Sequence, residues 1–162
     1  MNRIGWILLL LFSASASCSA QDAYAPLTLY NGGWKVQKSG ATAPDHLMNH
    51  CARLGTYYSC EQEVNGKESA LVVFVPGDAP GKYHTQAILP SGFATGRGDL
   101  EINGDHWVYI GKDVESTKTT WYRTTNEFKG KDHIHFEQAQ SEDGSHWKVT
   151  GSGDEERVVV TQ

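Results

Sequence analysis

The chain is short of most signals that announce chemistry. Its 162 residues contain no H-E-x-x-H zinc helix, no G-x-S-x-G nucleophile elbow and no C-x-x-C pair. Ser91, Ser116, Ser141 and Ser145 therefore have no nucleophile context, and no cofactor motif is present. Enzymatic function has no positive signal. Basic charge is also scarce. Fourteen Lys and Arg stand against 19 Asp and Glu, and only one of the basic residues, and none of the acidic ones, falls in residues 1–20. The remainder carries 13 basic and 19 acidic groups, a formal charge of −6, which argues against a nucleic-acid partner. Long apolar runs are missing as well. The longest, Trp6–Phe12, is far short of the roughly 20 residues that a helical membrane span needs.

That run does have a reading. "MNRIGWILLLLFSASASCSAQ" places Arg3 before an apolar stretch and small residues after it, which predicts a secretory signal peptide over residues 1–20. Cleavage after Ala20 leaves Gln21 as the mature start. Lipoprotein processing at Cys18 is the alternative, ranked lower because Ser15 stands where such sites carry Leu. The short leader suggests a bacterial periplasmic protein, with residues 21–162 as one domain. Only three cysteines occur. Once Cys18 is removed or lipidated, Cys51 and Cys60 remain as an even pair in an oxidising compartment, where a disulfide is the expectation.

What the chain has is period two. "GWKVQK", "GTYYSCEQEV", "SALVVFV", "YHTQAIL", "GRGDLEI", "HWVYIGK", "TKTTWYRTTNEF", "HIHFEQAQS", "HWKVTG" and "EERVVVT" alternate or run apolar, with turns such as "NGK" and "NGD" between them. Nine or ten short strands with no room for crossover helices make an antiparallel meander, and a meander closes into a barrel to remove its edges. One segment departs. "TAPDHLMNHCARLG", residues 42–55, sets Leu47, Cys51 and Leu54 at helical spacing, with Thr42 and Asp45 as a capping box and Gly55 as a stop. It predicts a short helix after the first strand.

Trp34 in "GGWKV" and Arg157 in "DEERVVV" stand near opposite ends of this all-β chain. Together they resemble the calycin arrangement of lipocalins and fatty-acid-binding proteins. The chain is also similar to small secreted bacterial proteins of that barrel type whose function is uncharacterised. The resemblance covers about residues 30–160. It implies a calycin-like β-barrel of about 8–10 strands with a lumen, and a structural clasp in which Arg157 packs over Trp34.

The stretch "KGKDHIHFEQAQ" sets His133 and His135 two residues apart, beside Asp132 and Glu137. Two imidazoles on one strand chelate only with further ligands from neighbours. Ile134 and Phe136 occupy the opposite face, and in a barrel the apolar face points inward. His133 and His135 are therefore expected outside, and no metal site is assigned. The lumen is the better place for function. Tyr109, Arg123 and Gln86 are the candidate ligand-binding residues. An inward Arg123 near Tyr109 would suit a carboxylate on an apolar ligand. An outward Arg123 paired with a surface Glu is the simpler alternative, because the Trp121/Arg123 and Tyr122/Thr124 faces compete equally for the interior. "RGD", residues 97–99, is read as coincidence.

Three functions follow in order. The first is a lumen that binds a small apolar or amphipathic ligand. The second is a filled barrel that serves structure or protein interaction at the cell envelope. The third is metal or haem binding through His133 and His135.

Overall fold

The structure, a computed structural model, describes residues 22–115 and 118–158. The expected signal peptide, with Cys18, lies outside them. Ten antiparallel strands form one closed barrel: β1 (Gly32–Lys38), β2 (Asp45–Leu54), β3 (Tyr57–Val64), β4 (Lys67–Pro76), β5 (Lys82–Ile88), β6 (Gly98–Asn103), β7 (His106–Glu115), β8 (Lys118–Phe128), β9 (His133–Ser141) and β10 (Lys148–Val158). Each strand pairs with its neighbours in sequence, and β10 closes on β1. A 3-10 helix, Pro26–Tyr30, precedes β1. Among the described residues no helix is long and apolar enough to cross a membrane.

The hairpins follow local chemistry. At the β3–β4 turn Asn65 and Gly66 both take positive φ, 53° and 72°, the backbone that an Asn-Gly hairpin requires. Alternation then sets the faces. Trp34, Val36, Tyr58, Phe74, Tyr83, Leu100, Trp107, Phe128, Ile134 and Phe136 are buried in one core.

Residues 42–55 do not form the expected helix: Asp45–Leu54 is strand β2. Its cross-strand partner at Cys51 is Cys60, and the two form a disulfide. Buried Asn49 interrupts the apolar alternation of that strand, so the pattern imitates a helical one. A second difference lies at the C-terminal end. "HWKVTG" and "EERVVVT" belong to one strand, β10, with a bulge between Val149 and Gly151. Gly151 and Gly153 look like a turn but stand inside the strand. A Cβ on Gly153 would collide with the Gln37 carbonyl oxygen and come within 2.8 Å of the Phe136 ring. The glycine there permits close approach of two strands and a ring.

The base of the barrel, where β1 begins, is packed and tied down. Tyr24 stacks on Tyr58 and Tyr83, with centroids 5.5 and 6.4 Å apart. The Tyr24 hydroxyl donates to the Thr56 carbonyl, and the Tyr83 hydroxyl to that of Ala23. Trp107 and Phe128 pack with centroids 4.5 Å apart. Buried Leu27 and Leu100 belong to the same core.

Candidate ligand cavity

The strand end of the lumen away from this base is not filled. A cavity of about 490 Å³ is lined by Val72, Phe74 and Ala87 on one side and by Tyr109, Thr124 and Asn126 on the other. Phe93, Thr95 and Gly96, from the long β5–β6 connection, also line it.

Tyr30 enters the cavity because its backbone is held in place. The Tyr30 carbonyl accepts a bond from Trp34 Nε1 and another from Asn49 Nδ2, both 3.1 Å. Asn49 is in turn fixed by Gln62 Nε2, which donates to its Oδ1 at 2.9 Å. Beside Tyr30, Arg157 locks the segment. Its guanidinium lies 4.2 Å from the Trp34 ring centroid and donates to the carbonyls of Leu29 (2.6 Å), Asn31 (2.8 Å) and Lys131 (2.9 Å). Asp132 sits 3.1 Å from Arg157 Nε. Such a guanidinium–indole contact is worth about 0.5–2 kcal/mol.

The most unusual group in the interior is a carboxyl. Glu155 is 6% exposed, and its register neighbours are Val36 on β1 and Ile134 on β9, both apolar. Its Oε2 is buried without a hydrogen-bond partner. Burial pushes its pKa up from 4.5 to about 7. Charge on Glu155 is felt at Tyr30 and Tyr109. Burial chiefly, with that charge second, raises both phenols well above their ordinary value, so both remain neutral hydroxyls. Asn126, 3% exposed, has an unpartnered Oδ1, and so has the indole Nε1 of Trp107 opposite it in register.

The three residues expected to bind a ligand separate. Tyr109 lines the cavity. Arg123 does not: it is on the outer face, 3.6 Å from Glu137 and with its guanidinium 4.7 Å from the Trp147 ring centroid. The β8 face that turns inward carries Tyr122, Thr124 and Asn126. Gln86 also lies outside the cavity and donates to the Thr95 carbonyl at 2.8 Å. It alternates with Thr85 and Ala87, which take the inner positions. His133 and His135 are on the outer face, 3.3 and 3.0 Å from one Asp154 oxygen, while Ile134 and Phe136 are buried. No group of three His, Cys, Asp or Glu side chains is poised for a metal among the described residues. Asp99 of the "RGD" stretch is bound to His84 Nδ1 at 2.8 Å.

Glu155 and Asn126 escaped the sequence reading, though a signal for Glu155 existed. It stands two residues before Arg157, so period two puts it on the face of the clasp. The pair "EE" reads as solvated surface and hides it.

The fold is a closed antiparallel barrel of ten strands with a cavity toward one end. Solved structures that share the fold include two proteins of unlike sequence. Rv2717c from M. tuberculosis aligns with a TM-score of 0.52 at 15% identity, over 85% of this chain and 98% of that one. The S-type phycobiliprotein lyase CPES from Guillardia theta aligns with a TM-score of 0.50 at 10% identity, over 84% and 92%. At these identities the likeness is one of fold. No family model and no curated protein matches the chain.

Proposed function

We propose that this barrel binds a small apolar or amphipathic molecule in its lumen. The observation that carries the reading is the cavity of about 490 Å³, apolar along Val72, Phe74 and Ala87 and polar at Tyr30, Tyr109 and Asn126. Ligand sites have this size and this mixture of apolar wall and few polar groups. A barrel acting only as a structural element would be served as well by a filled interior.

The test is displacement or uptake of a neutral fluorescent probe, N-phenyl-naphthylamine, by the protein and by Gly111→Trp. Gly111 lines the cavity, and a Cβ there meets nothing within 4 Å, so the indole fills the lumen without striking the wall at its root. Saturable binding that Gly111→Trp abolishes supports the reading. Equal probe binding by the two proteins rules the lumen out.

The same reading places the protein outside the cytoplasm, in the bacterial periplasm, with residues 21–162 as one mature domain. The Cys51–Cys60 disulfide supports it, since such bonds persist in oxidising compartments. The intact mass of the protein from its host decides between Gln21 as the first residue and a lipid on Cys18. An intact mass that still includes residues 1–20 contradicts both.

A further inference from the structure

The polar groups of the cavity gather at its floor. Tyr30 packs there beside the fully buried Trp34 and Trp107, with centroids 6.1 and 6.4 Å apart. Tyr109 and Thr124 are opposite each other on β7 and β8, and Asn126 stands opposite Trp107, nearer the base. Tyr30, Tyr109, Thr124 and Asn126 all line the cavity. Among the described residues neither the Tyr30 hydroxyl nor that of Tyr109 takes part in a hydrogen bond. Asn126 Oδ1 is closed off and unpartnered, so its amide nitrogen is the polar atom it offers to the lumen. The charged residues of the wall, Lys112 and Asp113, belong to the far end of β7. The Lys112 ammonium lies 5.3 Å from the Trp121 ring centroid, and Trp121 shares the outward face of β8 with Arg123.

We propose that the buried end of the ligand is an uncharged hydrogen-bond acceptor, a carbonyl oxygen, received by the hydroxyls of Tyr30 and Tyr109 and the amide of Asn126. This rests on the lumen reading above and names its head group. Both phenols stay protonated, so each has an O–H to give, and an amide nitrogen can only donate. A carbonyl satisfies such donors and brings no charge to desolvate. The apolar body of the ligand would then run along Val72, Phe74 and Ala87.

Charged heads fit this floor less well. A carboxylate, the chemistry an inward Arg123 would have selected, finds no cation there, because Arg157 is held by Trp34 and three backbone carbonyls and Arg123 is outside with Glu137. It would also enter the negative field that helps to raise both phenols. An ammonium has three N–H groups to place, and the floor gives it hydroxyl oxygens without a lining carboxylate.

Displacement of N-phenyl-naphthylamine by 2-octanone, 1-octene, octylamine and octanoate tests the assignment, since the four share one chain length and differ in the head. At neutral pH 2-octanone should compete at least about tenfold better than octylamine or octanoate. In Tyr109→Phe, which removes one donor, the ratio of 2-octanone to 1-octene competition should fall by about three- to tenfold, the loss of one hydrogen bond. Tyr30→Phe should lower the same ratio and serves if Tyr109→Phe does not fold. Octylamine or octanoate competing as well as 2-octanone overturns the head-group assignment in the wild-type protein alone, and leaves the lumen standing. An unchanged ratio in both variants also overturns it. Competition by none of the four overturns it too, and absence of saturable probe binding at the outset removes the lumen reading with it.

Discussion

Arg157 and Trp34 stand directly opposite each other across β10 and β1, and the guanidinium covers the indole at 4.2 Å. The contact joins the two ends of the chain and closes the barrel. It also holds residues 29–31, through bonds to the Leu29 and Asn31 carbonyls, and so positions Tyr30 in the cavity. Arg157→Ala should cost about 2–3 kcal/mol, from lost charge-assisted hydrogen bonds and the cation–π contact. Arg157→Lys should recover only part, because an ammonium cannot lie flat on the ring and reach three carbonyls. Urea denaturation midpoints of the three proteins check both statements. A lysine variant as stable as the parent would show that charge alone is needed.

Glu155 makes stability fall as pH rises. Its folded pKa, about 7, lies above the ordinary 4.5, so the carboxyl is favoured protonated in the barrel. The penalty is absent below about 4.5, grows through the window between the two values, and is complete above about 7, at roughly 3 kcal/mol for the full shift. Glu155→Gln removes this dependence. The stability of the variant minus that of the parent should rise between about pH 5 and pH 8 and then level off. A difference that stays flat across that range would mean the carboxyl is already ionised at acid pH.

Much of the barrel was legible because alternation is loud where a strand has one wet face. Ile134 and Phe136 announce their side of β9 against His133 and His135, and Trp34 with Arg157 marks the closure. The silent places each have a physical cause. In β2 the inward position of Asn49 is polar, because it braces the Tyr30 carbonyl, so apolar spacing alone suggests a helix. In β10 the glycines serve close packing and read as a turn. In β8 both faces carry an aromatic and a threonine or arginine, so neither face is marked. The sheet partners decide, with Trp147 and Glu137 drawing Arg123 outward. The buried polar groups were the least legible, since Glu155 and Asn126 look like surface residues until their neighbours are known.

Gly153→Ala should destabilise the barrel by about 1–3 kcal/mol, because the added methyl meets a backbone oxygen and an aromatic ring at once. Gly111→Ala should be tolerated, since nothing lies within 4 Å of its Cβ. Thermal melts of the two variants compare them directly. A Gly153→Ala protein as stable as Gly111→Ala would mean that the strands give way at Phe136 and Gln37 without cost.

The Cys51–Cys60 bond ties the β2–β3 hairpin across nine residues of sequence. In the chain-entropy model a loop this short is worth about 2–3 kcal/mol. The double variant Cys51→Ala/Cys60→Ala should lose that amount and still fold, because the rest of the barrel is intact. Cys60 also lines the cavity, so probe affinity should shift modestly with it. Loss of stability well beyond that figure would show that the bond organises the barrel and does more than restrain one hairpin.

The central claim is that the lumen holds a ligand. Native mass spectrometry of the protein purified from its own host, beside Gly111→Trp purified in the same way, tests it most directly. The account predicts an added mass on the wild-type protein, released on denaturation and absent from the variant. The same mass on both proteins, or none on either, would contradict it.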